Sequence, residues 1–352
     1  MTSFFTQFKN AFSGQNQNNQ IALHNIQRLQ DIMRNPPPSE HLYTLLNEWE
    51  SDNNLEIHNY SFMLWITLAV VCLILTFILH YGFLLLSIGL VIYAFVKRTS
   101  TSARDDLIKH MQNYWLERKY QIYFRQSRYS EIDDFSDNHS NNAHENRQQK
   151  WAQFDHPFSF PYFQLGNHAN DIQHCIYGEW HIQGKDYPFI LFNYHYVDKN
   201  VDKDEDGKET ISYDHHDLYG VMVEGFPGRG TSISSQQKRQ SRLGVKWTSG
   251  DIKFDQAYQL SGIDEIHLAK FFSPQNILSL ETAMQSFHGD FYVHPQTSML
   301  CWLFKKNILQ HSSEDLSIRN VHELAESLLQ LKMPEFEKMT HIMQTLIPEL
   351  SS

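Results

Sequence analysis

The stretch FMLWITLAVVCLILTFILHYGFLLLSIGLVIYAFV, Phe62 to Val96, contains no Asp, Glu, Lys or Arg, and its reading decides the fold. As a single helix, its roughly 35 residues would rise well beyond the ~30 Å hydrocarbon core of a bilayer. His80, Tyr81 and Gly82 interrupt the run, and Gly82 has the backbone freedom a tight turn needs. Division at that point predicts a two-helix transmembrane hairpin, 62–79 and 82–96, within residues 61–97. Tyr81, Tyr93 and Trp65 then fall near segment ends, where amphipathic rings suit a membrane interface. The competing reading is a helical hairpin in a protein core, but core helices of this length ordinarily carry some charge.

Cations follow the run at Lys97, Arg98, Arg104, Lys109, Arg118 and Lys119, whereas the turn has none. By the positive-inside rule both termini are expected in the cytoplasm, in a multi-pass membrane protein. The N-terminus lacks the basic and apolar regions of a cleaved signal peptide. Thr2 excludes N-myristoylation. Phe4, Phe5, Phe8 and Phe12 recur at helical spacing and are read either as an interfacial contact or as simple packing.

The mean hydropathy of the whole chain, -0.47, is that of a water-exposed protein, so the run is a local concentration of apolar residues. The 352 residues have a formal net charge of -11, and no basic stripe offers phosphates a partner, so no nucleic acid is expected. Cys72, Cys175 and Cys301 match no metal-ligand or redox spacing.

Residues 1–60 read as N-terminal amphipathic helices. Ala22, Ile26, Leu29 and Met33 form one apolar stripe, Pro36, Pro37 and Pro38 end it, and Ser39 is expected to cap the next helix. Residues 98–125 read as a juxtamembrane amphipathic helix carrying Leu107, Met111, Tyr114, Trp115 and Ile122, either a solvated stalk or a lipid contact. Residues 126–150 are polar and read as a flexible linker. From 151 to 310, aromatic and β-branched runs such as YPFILFNYHYV alternate with turn residues, giving a mixed, mostly antiparallel α+β soluble domain. Within it Ser273 and Pro274 mark a helix start. C-terminal helices fill 311–352.

Several motifs carry possible chemistry. Asp202, Asp204, Asp206 and Gly207 follow the start of an EF-hand calcium loop, but Tyr213 replaces the final Glu and the flanks read as strands, so a hairpin tip is preferred. His215 and His216 lie in DHHD, yet neighbours on a strand point to opposite faces and would not share an ion. His288 and His294 lack helical metal spacing. Gly228, Arg229 and Gly230, followed by Lys238, Arg239 and Arg242, could cradle a phosphate, although no P-loop or GxGxxG signature is present. Cys175 adjoins His174, and strand geometry sends the two apart. No nucleophile elbow or cysteine signature supports an enzyme. No catalytic, cofactor-binding or metal residue is therefore assigned.

Residues 251–304 resemble a bacterial membrane-protein family of unknown function through Phe254, Tyr258, Asp264, Ala269, Phe272 and Pro274, with Phe291 and Leu300 in a final hairpin. That family has two transmembrane helices followed by a soluble α+β domain, and it supplies no catalytic residues. Tyr258 departs from the pattern, which favours Phe at this position. The resemblance implies the bacterial inner membrane, and the resulting expectation is a membrane-anchored interaction or scaffold module facing the cytoplasm. Its partners would be the lipid bilayer and proteins, or further copies of itself. The alternative is a membrane-tethered enzyme or small-ligand sensor with its site in 151–310.

Overall fold

The computed structural model describes residues 2–49, 52–78, 82–97, 100–124, 160, 163, 165–203, 209–235, 243–312 and 318–351. In chain order their helices are α1 (Thr2–Arg34), α2 (Ser39–Asn47), α3 (Tyr60–Ile78), α4 (Gly82–Lys97), α5 (Ser102–Tyr120), α6 (Ile252–Ala257), α7 (Glu265–Phe271), α8 (Pro274–Ser286), α9 (Val321–Gln330) and α10 (Pro334–Ser351). The strands are β1 (Tyr123–Phe124), β2 (Ala169–Ile182), β3 (Lys185–Lys203), β4 (Glu209–Val223), β5 (Thr231–Ser235), β6 (Val245–Trp247), β7 (Tyr258–Gly262), β8 (Gly289–Val293) and β9 (Leu300–Phe304). They form two compact units, residues 1–118 with 313–331 and residues 119–312 with 332–352.

The first unit is helical. Helix α1 buries Ala22, Ile26, Leu29 and Met33, the stripe that its spacing demands. Asn25 on that helix donates to the carbonyls of Asp52 (2.8 Å) and Asn54 (2.9 Å), fixing a segment that has no ladder of its own. The N-cap of α2 is Pro38, with no side-chain bond, and Ser39 is already helical, contrary to the cap expected at Ser39. Leu42 and Leu46 of α2 are buried, and α2 packs on α9. In α5, Leu107, Met111, Tyr114 and Trp115 are buried and the Tyr114 hydroxyl donates to Pro37 O at 2.7 Å, so this helix is a packed element and not a solvated stalk.

Helices α3 and α4 pack on each other through small residues. Ala69, Cys72, Ser87 and Ala94 are buried in the seam, and the Ser87 hydroxyl donates to Ala69 O at 2.9 Å. Edge contacts between Phe62 and Phe95 (5.5 Å) and between Trp65 and Tyr93 (5.0 Å) close the hairpin. Among the described residues, however, no helix is long and apolar enough to cross a membrane. Helix α4, at 16 residues, rises only about 24 Å against a ~30 Å core. Helix α3 has 19 residues but begins with Tyr60 and Ser61, which leaves about 25 Å of apolar length. This corrects the expected transmembrane hairpin, and the multi-pass inner-membrane placement and its topology go with it. The turn residues 79–81, the linker 126–150 and the side chains of Phe4, Phe5, Phe8 and Phe12 lie outside the described residues.

The second unit is built on a sheet whose strand order is β1-β2-β3-β4-β9-β8-β5-β7-β6, with every pairing among the described residues antiparallel. The α+β, antiparallel-rich character expected from the alternating aromatic runs is present. One face carries Phe189, Val221, Phe291 and Trp302, the last ringed by Phe287, Phe291 and Phe304. The other carries Ile190, Phe192, Tyr194, Met222, Cys301 and Leu303, packed with Phe160 and Phe163. Strands β3 and β4 stay paired to Lys203 and Glu209, past Tyr219, where β9 leaves β4, and past Val197, where β2 leaves β3, and from there form a two-stranded ribbon.

Candidate functional site

Along β3 the first face changes from apolar to polar within four residues. Leu191 and Asn193 are buried, and His195 is half-buried at the base of the ribbon. The register sets Asp171 of β2, His195 of β3 and Asp217 of β4 in one row on this face, with Asn193 paired to Tyr219 and Val197 to His215. The Asp217 Oδ1 lies 2.9 Å from His195 Nδ1 and accepts from Asn193 Nδ2 at 3.2 Å. His195 Nε2 lies 3.2 Å from His215 Nδ1, and the two rings stack with centroids 5.3 Å apart. His195 beside it, with help from Asn193 and the His215 ring, holds the Asp217 carboxyl below its usual range, against a smaller opposing push from burial. A carboxylate can only accept, so His195 Nδ1 carries the proton, and in the neutral imidazole this leaves the lone pair on Nε2.

His216 lies on the opposite face, stacked on Tyr196 (4.8 Å) and 3.6 Å from Asp198 Oδ2. The strand thus separates His215 from His216, and β3 supplies His215 with a partner that no local motif announced. The missed signal lies in pairing NYHYV with YDHHD across the turn, which needs a register that sequence spacing alone does not give.

The other sequence motifs have structural roles. His288 Nδ1 lies 2.8 Å from the Tyr258 hydroxyl, whereas His294 Nδ1 accepts from the backbone of Gln296 and Thr297 at 3.3 Å each, so the two imidazoles do separate work. Burial pulls the His294 ring down. At the Gly228–Gly230 turn, Gly230 N–H donates to Val293 O and Thr231 N–H to Gly228 O. The first bond ties the turn to the sheet and the second closes the turn on itself, so these two amides are not available to a phosphate; Lys238, Arg239 and Arg242 lie outside the described residues. Asp202 is paired with Thr210 near the end of the β3–β4 ladder, and Asp204, Asp206 and Gly207 are likewise outside the described residues. At the β-bulge between Gln173 and Ile176, His174 has φ 48° and is exposed while Cys175 is buried. Burial, with Asp290 adding its charge, pushes the Cys301 thiol up, the reverse of what a nucleophile requires.

An open cleft of about 340 Å³ lies over the stacked rings of Trp180 and Phe189, 4.1 Å apart, with Lys119, Glu179, Glu337 and His341 on its walls. Several of its polar groups bond to one another or to the backbone. The Tyr120 hydroxyl donates to Glu337 and accepts from Met333 N–H, and the Trp180 indole donates to Thr340 Oγ1. Among the described residues no three His, Cys, Asp or Glu side chains are placed to hold a metal ion together.

No family model, curated protein or solved structure matches the chain.

Proposed function

We propose that this protein is a non-catalytic interaction module that docks through the α3–α4 hairpin. One observation carries the reading: the hairpin leaves a long apolar face uncovered. Leu85 and Val96 are each 75% exposed, and Met63, Val70, Ile74 and Ile92 are exposed as well. Exposed apolar surface on this scale marks an interaction site, because fully burying one such side chain is worth about 1.5–3 kcal/mol. The face has no charge to satisfy, so the surface that fits it is apolar and uncharged. The hairpin of a second copy has that chemistry, and so does the acyl region of a lipid surface.

The full chain is measured by sedimentation velocity and by flotation with neutral phosphatidylcholine vesicles, alongside the pair Leu85→Glu and Ile92→Glu. Self-association or vesicle flotation that both substitutions abolish supports docking through this face and identifies the partner surface. A monodisperse monomer that ignores vesicles, or an assembly that both substitutions leave intact, overturns the proposal.

A further inference from the structure

The row at the base of the β3–β4 ribbon has a geometry that the docking reading does not use. We infer that His195 and His215 bind one divalent transition-metal ion of the kind that favours imidazole, zinc or copper(II), with Asp217 as the positioning residue behind His195. Two nitrogens 2.0–2.1 Å from a tetrahedral ion stand about 3.3–3.4 Å apart. The separation of 3.2 Å between His195 Nε2 and His215 Nδ1 is close to that spacing.

The proton positions suit a ligand pair. Asp217 fixes the proton of His195 on Nδ1 and leaves Nε2 as the ligating atom, the carboxylate–histidine–metal arrangement that orients a ring and raises its basicity. Asn193, buried and bonded to the same carboxylate oxygen, holds Asp217 in place. In the metal-free pair, His215 Nδ1 donates to His195 Nε2. When the ion enters, that hydrogen bond breaks, the proton of His215 moves to its Nε2, and Nδ1 becomes the second ligand. Water fills the remaining positions, which the exposure of His215 and Asp217 permits. The face is also favourable in charge, since Asp171 and Asp217 flank His195 on either side, while Lys199 lies four residues further along β3.

The test titrates Zn²⁺ into the full chain at pH 7.5 by calorimetry, with copper(II) electron paramagnetic resonance as a second probe. The expected result is one site that His195→Gln and His215→Gln each abolish and that Asp217→Asn weakens by about 10–100-fold. The copper signal should carry coupling to two nitrogens in the wild type and lose it in either histidine variant. His216→Gln, on the opposite face of the same strand, is the control and should leave the site unchanged. Far-UV circular dichroism confirms that each variant is folded. The inference fails if the wild type binds no Zn²⁺, or if the double variant His195→Gln/His215→Gln gives the wild-type isotherm, which would place the binding at other histidines of the chain.

Discussion

Tyr258 and Tyr120 show how strongly single side chains here are fixed by their surroundings. Burial, reinforced by the nearby charge of Glu281, pushes the Tyr258 phenol up to about 12. Burial and the hydrogen bond to Glu337 likewise push Tyr120 up to about 12, against a smaller opposing pull from Met333 N–H. Raised folded-state values mean that the folded protein prefers the neutral phenols. Their stabilising contribution is complete below pH 10, the ordinary phenol value, and is lost as the pH climbs from 10 towards 12. Absorbance at 295 nm should therefore show late-titrating phenols, of which Tyr258→Phe removes one and Tyr120→Phe another. Both titrating near the ordinary value in the folded protein would contradict this assignment. None of it was legible in the sequence, and the same holds for His195, since the partners of all three residues come from distant strands or helices. Alternation along a strand could say that His215 and His216 part, but not which residue of β3 would meet each of them.

Elements were more legible where a local rule acts alone. Ser273 and Pro274 start α8 as their chemistry dictates, with Ser273 Oγ accepting from Asn276 N–H. The aromatic, β-branched runs became strands because they suit a pleated surface buried on both faces. Ser39 misled because Pro38 already has the extended backbone of an N-cap, φ -50° and ψ 148°, leaving Ser39 inside the first turn. The apolar run misled in another way, since hydropathy reports what a segment avoids and not how long each helix in it becomes. The Gly228–Gly230 turn gives a sharp test at this scale. Both glycines have positive φ, 80° and 76°. A Cβ on Gly228 would fall 2.0 Å from the Phe271 ring, a packed aromatic, whereas one on Gly230 would meet the more adaptable Ile263 side chain at 2.8 Å. Each alanine carries about 1–3 kcal/mol of backbone strain, and Gly228→Ala adds a clash that has little room to relax. Urea unfolding should rank Gly228→Ala as clearly the more destabilising; equal midpoints would show that the Phe271 contact does not constrain the turn.

Across the whole molecule, the chain leaves the first unit at residue 118, builds the sheet, returns for 313–331 and then goes back to the second unit. Neighbours in sequence are thus assigned to different cores, something that no composition boundary between 311 and 352 reveals. Helix α9 buries Leu324, Ala325 and Leu328 and packs on α2. Helix α10 buries Phe336, Met339 and Met343, with the Phe336 ring 5.7 Å from Phe189 and 6.5 Å from Trp180. Each unit therefore depends on one of the last two helices for part of its core, and the effects of removing them should be separable. A chain ending at residue 332 lacks only α10, so the sheet unit alone should lose Trp180 near-UV ellipticity and gain protease sensitivity while the helical unit persists. A chain ending at residue 312 lacks both and should expose the two units together, because the apolar faces of α2 and of the sheet would then be uncovered. Buried large side chains cost about 2–5 kcal/mol each to remove, and loss of three or more exceeds the margin of an ordinary domain. If the chain ending at 332 keeps its near-UV signal, the Phe336 packing is dispensable to the sheet. If the chain ending at 312 damages only one unit, the two cores do not share the C-terminal segment as their contacts imply.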